Sequence, residues 1–123
     1  MQFTVLLSVA CAGALGAASR HVLATWLRDA VGAGPVPIAL VNVVGCLGFG
    51  LCAAALEGRV SQAVYVGVLA GFFGAFTTFS AFAFDGVQLL DDRRYVVFFG
   101  NLLLQNALGA GGLWFGLALG SRG

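Results

Sequence analysis

Four long apolar stretches, separated by short polar segments, make up most of the sequence. A helix needs roughly 20 residues to cross the hydrocarbon core of a membrane, and each stretch reaches that length. The pattern therefore predicts an all-α membrane protein with a single transmembrane domain over residues 1–123. Its helices are expected at approximately residues 3–27, 36–56, 63–84 and 95–119.

Charged residues mark the ends of these stretches. Arg28 and Asp29 follow the first, Glu57 and Arg59 follow the second, and Asp85 opens the polar segment after the third. No acidic residue falls inside a predicted span. Proton-coupled and cation transport commonly use an intramembrane carboxylate, so this pattern disfavours both.

Composition narrows the function classes further. The chain is 60% hydrophobic and 9% charged, with a formal net charge of +1. Its six basic residues are all arginines and form no cluster, so no basic surface is available for a nucleic-acid backbone. The sequence also lacks a histidine cluster, a nucleotide-binding loop and a nucleophile with a nearby base. These absences argue against an enzyme.

The arginines are nearly balanced across the membrane. With four spans, Arg59 and Arg122 lie on the side of the termini, whereas Arg28, Arg93 and Arg94 lie on the other side. An excess of arginine on one side normally fixes the orientation of a membrane protein. This balance permits insertion in both orientations and hence an antiparallel, dual-topology dimer. A single orientation with weak signals is the alternative.

Small residues recur at helical spacing in two places. Gly67 and Gly71 form one G-x-x-x-G pair, and Gly112, Gly116 and Gly120 repeat the same spacing. Such stripes let helix backbones approach closely. Spacing does not distinguish contacts within a subunit from contacts between subunits. We expect oligomerisation in either case, because four helices enclose little space.

The polar side chains within the predicted spans are mostly neutral. They are Asn42, Thr77, Thr78, Ser80, Asn101, Gln105 and Asn106. Each can donate a hydrogen bond, so a polar track that they line suits an anion. Arg20 adds a positive field near one end of this track, unless its side chain extends to the membrane interface.

The segment from Gly71 to Phe82, GFFGAFTTFSAF, is a poor straight helix. Gly74 followed by two β-branched threonines predicts a break near the middle of the third helix, where exposed carbonyls could hold a cation. Phe79 and Phe82 are spaced i, i+3 and share a face. Their electropositive ring edges could meet an anion, although such a pair is more commonly a packing contact.

This segment resembles the G-F-x-G-G-x-T-T-F-S-T-F signature of the Fluc (CrcB) fluoride channels. Residues 13–20, GALGAASR, are similar to that family's first-helix G-G-x-G-A-x-x-R, and residues 42–45, NVVG, to its second-helix N-x-x-G. The resemblance therefore extends over the whole chain.

The resemblance implies an antiparallel homodimer in a prokaryotic cell membrane, with a structural sodium ion at the dimer interface. It implies passive export of cytoplasmic fluoride, which relieves fluoride toxicity. By motif position the fluoride pore would be lined by Phe79, Phe82, Asn42, Thr78, Ser80, Asn101 and Gln105. Arg20 would be the vestibule arginine, and the backbone carbonyls of Gly74 and Thr77 would hold the sodium.

Several positions depart from the family pattern. Ala75 replaces a glycine, Ala81 replaces a threonine, and His21 stands where tyrosine is common. In the fourth helix, Asn101 and Gln105 occupy places where a tyrosine and a serine are expected. These differences bear on ion contacts and conductance more than on the fold.

Three alternatives remain open at this point. A small dual-topology multidrug exporter has a similar length, but that class uses a glutamate in its first helix, which is missing here. A non-conducting membrane subunit would use the glycine stripes for packing only. One member of a paired heterodimer would be inactive on its own.

Overall fold

The computed structural model describes residues 2–123 and is all-helical. In that part of the chain, four helices are long and apolar enough to cross a membrane, as predicted. They span Phe3–Val31, Val36–Leu56, Gln62–Asp91 and Tyr95–Gly120. The chain is thus a multi-pass membrane protein.

Two helices continue beyond the apolar stretch that predicts them. The first ends at Val31 instead of near residue 27, and Gly32, with φ of 89°, terminates it. The third ends at Asp91 instead of near residue 84. Asp85 therefore lies on a helix and not in the polar loop that the sequence predicted after the third span. Apolar length measures contact with lipid, whereas helical hydrogen bonding can continue into the interface.

The third span is a bent helix, with a change in direction of 17°. It includes a π-helical section, Gly67–Phe73, in its first half. At Thr77 and Thr78 the backbone is extended, with ψ of 154° and 116°. The break near the middle of this helix that the sequence predicted is not confirmed, because the span is bent and its helical segments on either side of Thr77 and Thr78 continue as one span. The departure from helical geometry is confined to these two residues, within a span that otherwise continues.

The glycine stripes pack helices together within the subunit. A Cβ atom at Gly71 would lie 2.8 Å from the Val9 carbonyl oxygen of the first helix. A Cβ atom at Gly116 in the fourth helix would overlap the carbonyl of Leu47 in the second. These stripes therefore allow close approach of the third span to the first helix, and of the fourth helix to the second.

Few side chains are fully buried. A small cluster of Ala24, Ile38, Val41 and Phe76 joins the first two helices to the third span, immediately beside the extended residues. Many large apolar side chains are instead exposed on the outer faces of the helices. This distribution suits a protein whose solvent is lipid, and the small buried cluster lies beside the polar site described next.

Candidate functional site

Asn42 binds the extended part of the third span through both ends of its side-chain amide. Its Oδ1 accepts a hydrogen bond of 2.8 Å from the Thr78 N–H, and its Nδ2 donates to the Thr78 carbonyl oxygen over 3.1 Å. Backbone groups that leave a helix at membrane depth need other partners, because lipid offers none. The second helix supplies both partners with one side chain.

Gly45 lies one turn after Asn42 and makes room for this contact. A Cβ atom at position 45 would overlap the side-chain methyl of Thr77 and would lie 2.9 Å from a ring carbon of Phe76. Only glycine lets the extended segment approach the second helix closely enough for Asn42 to reach Thr78. The N-x-x-G spacing thus has a physical reason in this structure.

Arg20 of the first helix binds two carbonyl groups at the start of the extended region, those of Ala75 and Thr77. Its Nη1 donates to the Ala75 carbonyl oxygen at 2.9 Å and to the Thr77 carbonyl oxygen at 3.4 Å. The C-terminal end of a helical segment carries partial negative charge and unpaired carbonyls. The guanidinium group neutralises this end, which is a structural role in addition to the vestibule role expected from the sequence.

A helical segment starts again at Phe79, with Thr78 as its N-cap. The Thr78 hydroxyl accepts a hydrogen bond from the Ala81 N–H at 3.2 Å and lies 3.1 Å from the Ser80 hydroxyl. The N-terminal end of a helical segment carries partial positive charge, so it stabilises an anion nearby. The two extended residues therefore join an end with partial negative charge to an end with partial positive charge.

The fourth helix continues the polar contacts of Asn42. Its Nδ2 also donates to Gln105 Oε1 at 2.8 Å, and Gln105 Nε2 donates to Asn101 Oδ1 at 2.9 Å. We call these three side chains the amide chain. Gln105 and Asn101 are one helical turn apart, and Asn101 is the buried member at 9% exposure.

A cavity of about 190 Å³, which we call the aromatic cavity, lies where the third span meets the second and fourth helices. The rings of Phe79 and Phe82 have centroids 5.5 Å apart and planes inclined by 54°. The residues lining the cavity are Asn42, Cys46, Thr77, Thr78, Phe79, Phe82, Gln105 and Asn106. Within residues 2–123, those that line it include no carboxylate.

A second and larger cavity of about 600 Å³, the vestibule, opens on the other side of Thr78. Its polar lining consists of Arg20, His21, Arg28, Thr78, Ser80 and Asp85. Because Thr78 lines both cavities, it stands between them. Asp85 Oδ2 is buried without a hydrogen-bond partner in the described part of the chain.

The structure brings together most of the residues predicted from the sequence and separates others. Phe79, Phe82, Asn42, Thr78 and Gln105 share the aromatic cavity. Ser80 and Arg20 line the vestibule instead. Asn101 lies behind Gln105, and Gly74 is exposed on the subunit surface.

Two residues that line the cavity, Cys46 and Asn106, were missing from the pore set that the family resemblance implies, although Asn106 belonged to the predicted polar track. Cys46 follows Asn42 by four residues and therefore lies on the same helix face, a spacing that could have identified it. Asn106 is adjacent to Gln105 and donates to the Leu102 carbonyl oxygen at 2.7 Å. Its polarity was evident, but nothing in the sequence showed which face of the fourth helix meets the cavity.

These features define a class: a multi-pass α-helical membrane protein with an aromatic, amide-lined cavity at membrane depth. Residues 7–117 match the family model described as CrcB-like protein, Camphor Resistance (CrcB). The chain belongs to the CrcB family.

Relatives with related sequences cover nearly its full length. The chain is 43% identical over 116 residues to the fluoride-specific ion channel FluC of Solidesulfovibrio magneticus, an alignment that covers 91% of this chain and 92% of that protein. It is 42% identical over 127 residues to the protein of that name in Nitratidesulfovibrio vulgaris, with 98% of each chain covered. For the one in Desulforapulum autotrophicum, identity is 41% over 115 residues, with 91% and 92% covered.

Proposed function

We propose that this protein is a channel, not an enzyme, that lets cytoplasmic fluoride leave the cell passively and so relieves fluoride toxicity. The aromatic cavity is the observation that carries the proposal, because it combines two phenylalanine rings with neutral amide and hydroxyl groups. The names of its relatives, fluoride-specific ion channels, support the same substrate. Their organisms support a prokaryotic cell membrane as its location.

The cavity chemistry suits a small anion that must also leave. A pore has to replace the hydration shell of fluoride without one site that binds too tightly for release. Amide N–H groups, hydroxyls and ring edges are moderate, dispersed donors. The positive end of the helical segment at Phe79 adds attraction without a full charge.

The open aromatic cavity supports an antiparallel homodimer. Phe79 is 78% exposed on the subunit surface although it lines the cavity. A second copy would cover this ring and complete the wall of the pore. The balanced arginines agree with opposite orientations for the two copies, because they give neither orientation an advantage.

Labelling from opposite sides of the membrane tests the dual topology. In a variant without native cysteines, Ser121→Cys places one thiol beside the C-terminus. We expect a membrane-impermeant maleimide to label comparable fractions of this thiol from outside and from inside. Labelling from one side only would contradict dual topology and leave a parallel dimer or a paired heterodimer.

A structural sodium ion at the dimer interface is the second part of the assembly that we propose. The Thr78 N–H, which would bond the Gly74 carbonyl in a continuous helix, donates to Asn42 instead. Carbonyl oxygens are suitable ligands for a hard cation such as sodium. The Gly74 and Thr77 carbonyls of two copies would together supply the ligands, although the Thr77 oxygen also receives a long bond from Arg20.

Removal of sodium tests this part of the proposal. We expect protein purified and reconstituted with a large organic cation in place of sodium to lose fluoride efflux, and to regain it when sodium is added back. Lithium or potassium serves as the matched control for ionic strength. Unchanged efflux after verified removal of sodium would exclude a structural role for the ion.

Fluoride efflux from liposomes tests the function itself. Purified protein is reconstituted in vesicles loaded with potassium fluoride, valinomycin removes the electrical potential, and a fluoride electrode records release. We expect rapid, protein-dependent fluoride release, and little chloride release from vesicles loaded with potassium chloride and followed with a chloride electrode. If the isolated chain releases no fluoride, the channel proposal fails and a non-conducting subunit or a heterodimer partner takes its place.

A further inference from the structure

The amide chain has a fixed direction. Asn42 Oδ1 accepts from the Thr78 N–H, a backbone group that can only donate. The Asn42 amide therefore cannot be reversed, and its Nδ2 must face the Thr78 carbonyl and Gln105. Gln105 then has to present Oε1 to Asn42, which leaves Nε2 to face Asn101.

Both hydrogens of Asn42 Nδ2 are used within the subunit. One bonds the Thr78 carbonyl and the other bonds Gln105 Oε1. Asn42 therefore has no free N–H group to donate to an ion in this structure. This differs from the pore-donor role that its motif position implies.

Gln105 has a hydrogen to offer. Its Nε2 carries two, of which the structure uses one for Asn101, and Gln105 lines the aromatic cavity together with both phenylalanines. If its amide were reversed, Oε1 would take the place of Nε2, and the spare hydrogen on that side of the amide would be lost. The bond from Asn42 sets the direction of the amide, and the bond to Asn101 Oδ1, 2.9 Å long and made to a residue only 9% exposed, adds to the resistance against that reversal.

We propose that Gln105 is the fourth-helix residue that donates to fluoride in the aromatic cavity and favours it over chloride, and that Asn101 is a positioning residue acting through Gln105. A preorganised donor favours the smaller anion, whose charge is more concentrated at hydrogen-bonding distance. This inference rests on the proposed function and gives distinct roles to two residues that the sequence grouped together.

A double-mutant cycle tests the coupling. Asn101→Leu keeps the size of the side chain and removes the acceptor, and Gln105→Met keeps its length and removes both amide groups. We expect each single change to lower fluoride efflux roughly tenfold. Each change leaves a buried polar group unpaired, and the cost of such a group, if added to the barrier for ion passage, slows passage by about that factor. The double variant should be no slower than Gln105→Met, since Asn101 acts only through Gln105.

Selectivity provides the readout that a merely structural role would not change. We expect Asn101→Leu to lower the ratio of fluoride to chloride efflux, and Asn101→Asp, which keeps an acceptor for Gln105, to retain that ratio. The matched control pairs Asn101→Leu with Asn106→Leu, because Asn106 lines the same cavity but bonds its own helix. In the double variant of Asn101→Leu and Asn106→Leu, the two fold-losses in fluoride efflux should multiply, because the two residues act independently.

The outcomes separate this inference from the proposed function. If wild-type protein conducts fluoride and the losses at positions 101 and 105 multiply, the inference is overturned while the channel stands. Absence of fluoride efflux from the wild type overturns both. If Gln105→Met does not elute as the wild-type oligomer, Gln105→Glu replaces it in the cycle, since it keeps the acceptor for Asn42 and lacks the donor.

Discussion

Replacing Asn42 with aspartate is expected to abolish fluoride efflux, with a loss of at least about a hundredfold in rate. The new side chain can still accept the Thr78 N–H. Its second oxygen would face the Thr78 carbonyl and Gln105 Oε1, which lie 3.1 Å and 2.8 Å from Nδ2 in the present structure. Two attractive contacts become repulsive, and a negative charge appears beside the anion path. The liposome assay measures the loss directly.

Asn106→Asp is the matched control for the charge. Asn106 lines the same aromatic cavity, but its amide bonds only the Leu102 carbonyl of its own helix. Both variants should reduce efflux, whereas Asn42→Asp should also lower the midpoint of thermal unfolding in detergent. If Asn42→Asp and Asn106→Asp had equal unfolding midpoints, Asn42 would not be the residue that holds the extended segment in place.

The four spans were predictable because apolar length is a direct requirement of the membrane. The ends of the first and third helices were not. Arg28 and Asp85 mark where apolar side chains stop, but each helix continues through its charged residue because helical hydrogen bonds do not depend on lipid contact. As a result, the sequence placed Asp85 in a loop, and the structure places it in the lining of the vestibule.

Motif position named most of the residues that line the aromatic cavity, but it did not predict their contacts. Asn42 and Thr78 are 36 positions apart, and their bond requires both the extended backbone and the space left by Gly45. Periodicity within one helix contains no information on either. It also could not distinguish Asn101 from Gln105, since residues one turn apart share a face and differ here only in depth.

The glycines also show that spacing within one helix does not predict which other helix it contacts. Spacing predicted close helix contacts for Gly67 and Gly116, and left open which helices they bring together. The structure assigns these contacts to pairs of helices in one subunit. Phe79 and Gly74 take no part in these close contacts and are exposed on the subunit surface.

Phe79→Ile and Phe82→Ile are each expected to reduce fluoride efflux to the background of protein-free liposomes. The two rings lie 5.5 Å apart in the aromatic cavity. Isoleucine keeps the apolar character and much of the volume of phenylalanine but has no ring quadrupole, so the electropositive edge is lost while the hydrophobic contacts largely remain. Fluoride would then pass an aliphatic wall on this side of the cavity after giving up water, with no ring edge to replace that water.

Phe99→Ile provides the same chemical change outside the site, because Phe99 is 56% exposed on the fourth helix and does not line the aromatic cavity. It should conduct like the wild type, and all three variants should elute from size-exclusion columns as the same oligomer. If both cavity variants kept wild-type efflux, the rings would be packing elements, and the ion path would depend on the amides alone. If only one of the two cavity variants lost efflux, the phenylalanine whose replacement was tolerated would lie outside the narrow part of the ion path. Because Phe79 is the more exposed ring in the single subunit, its sensitivity would also indicate that the functional pore is completed by a second copy.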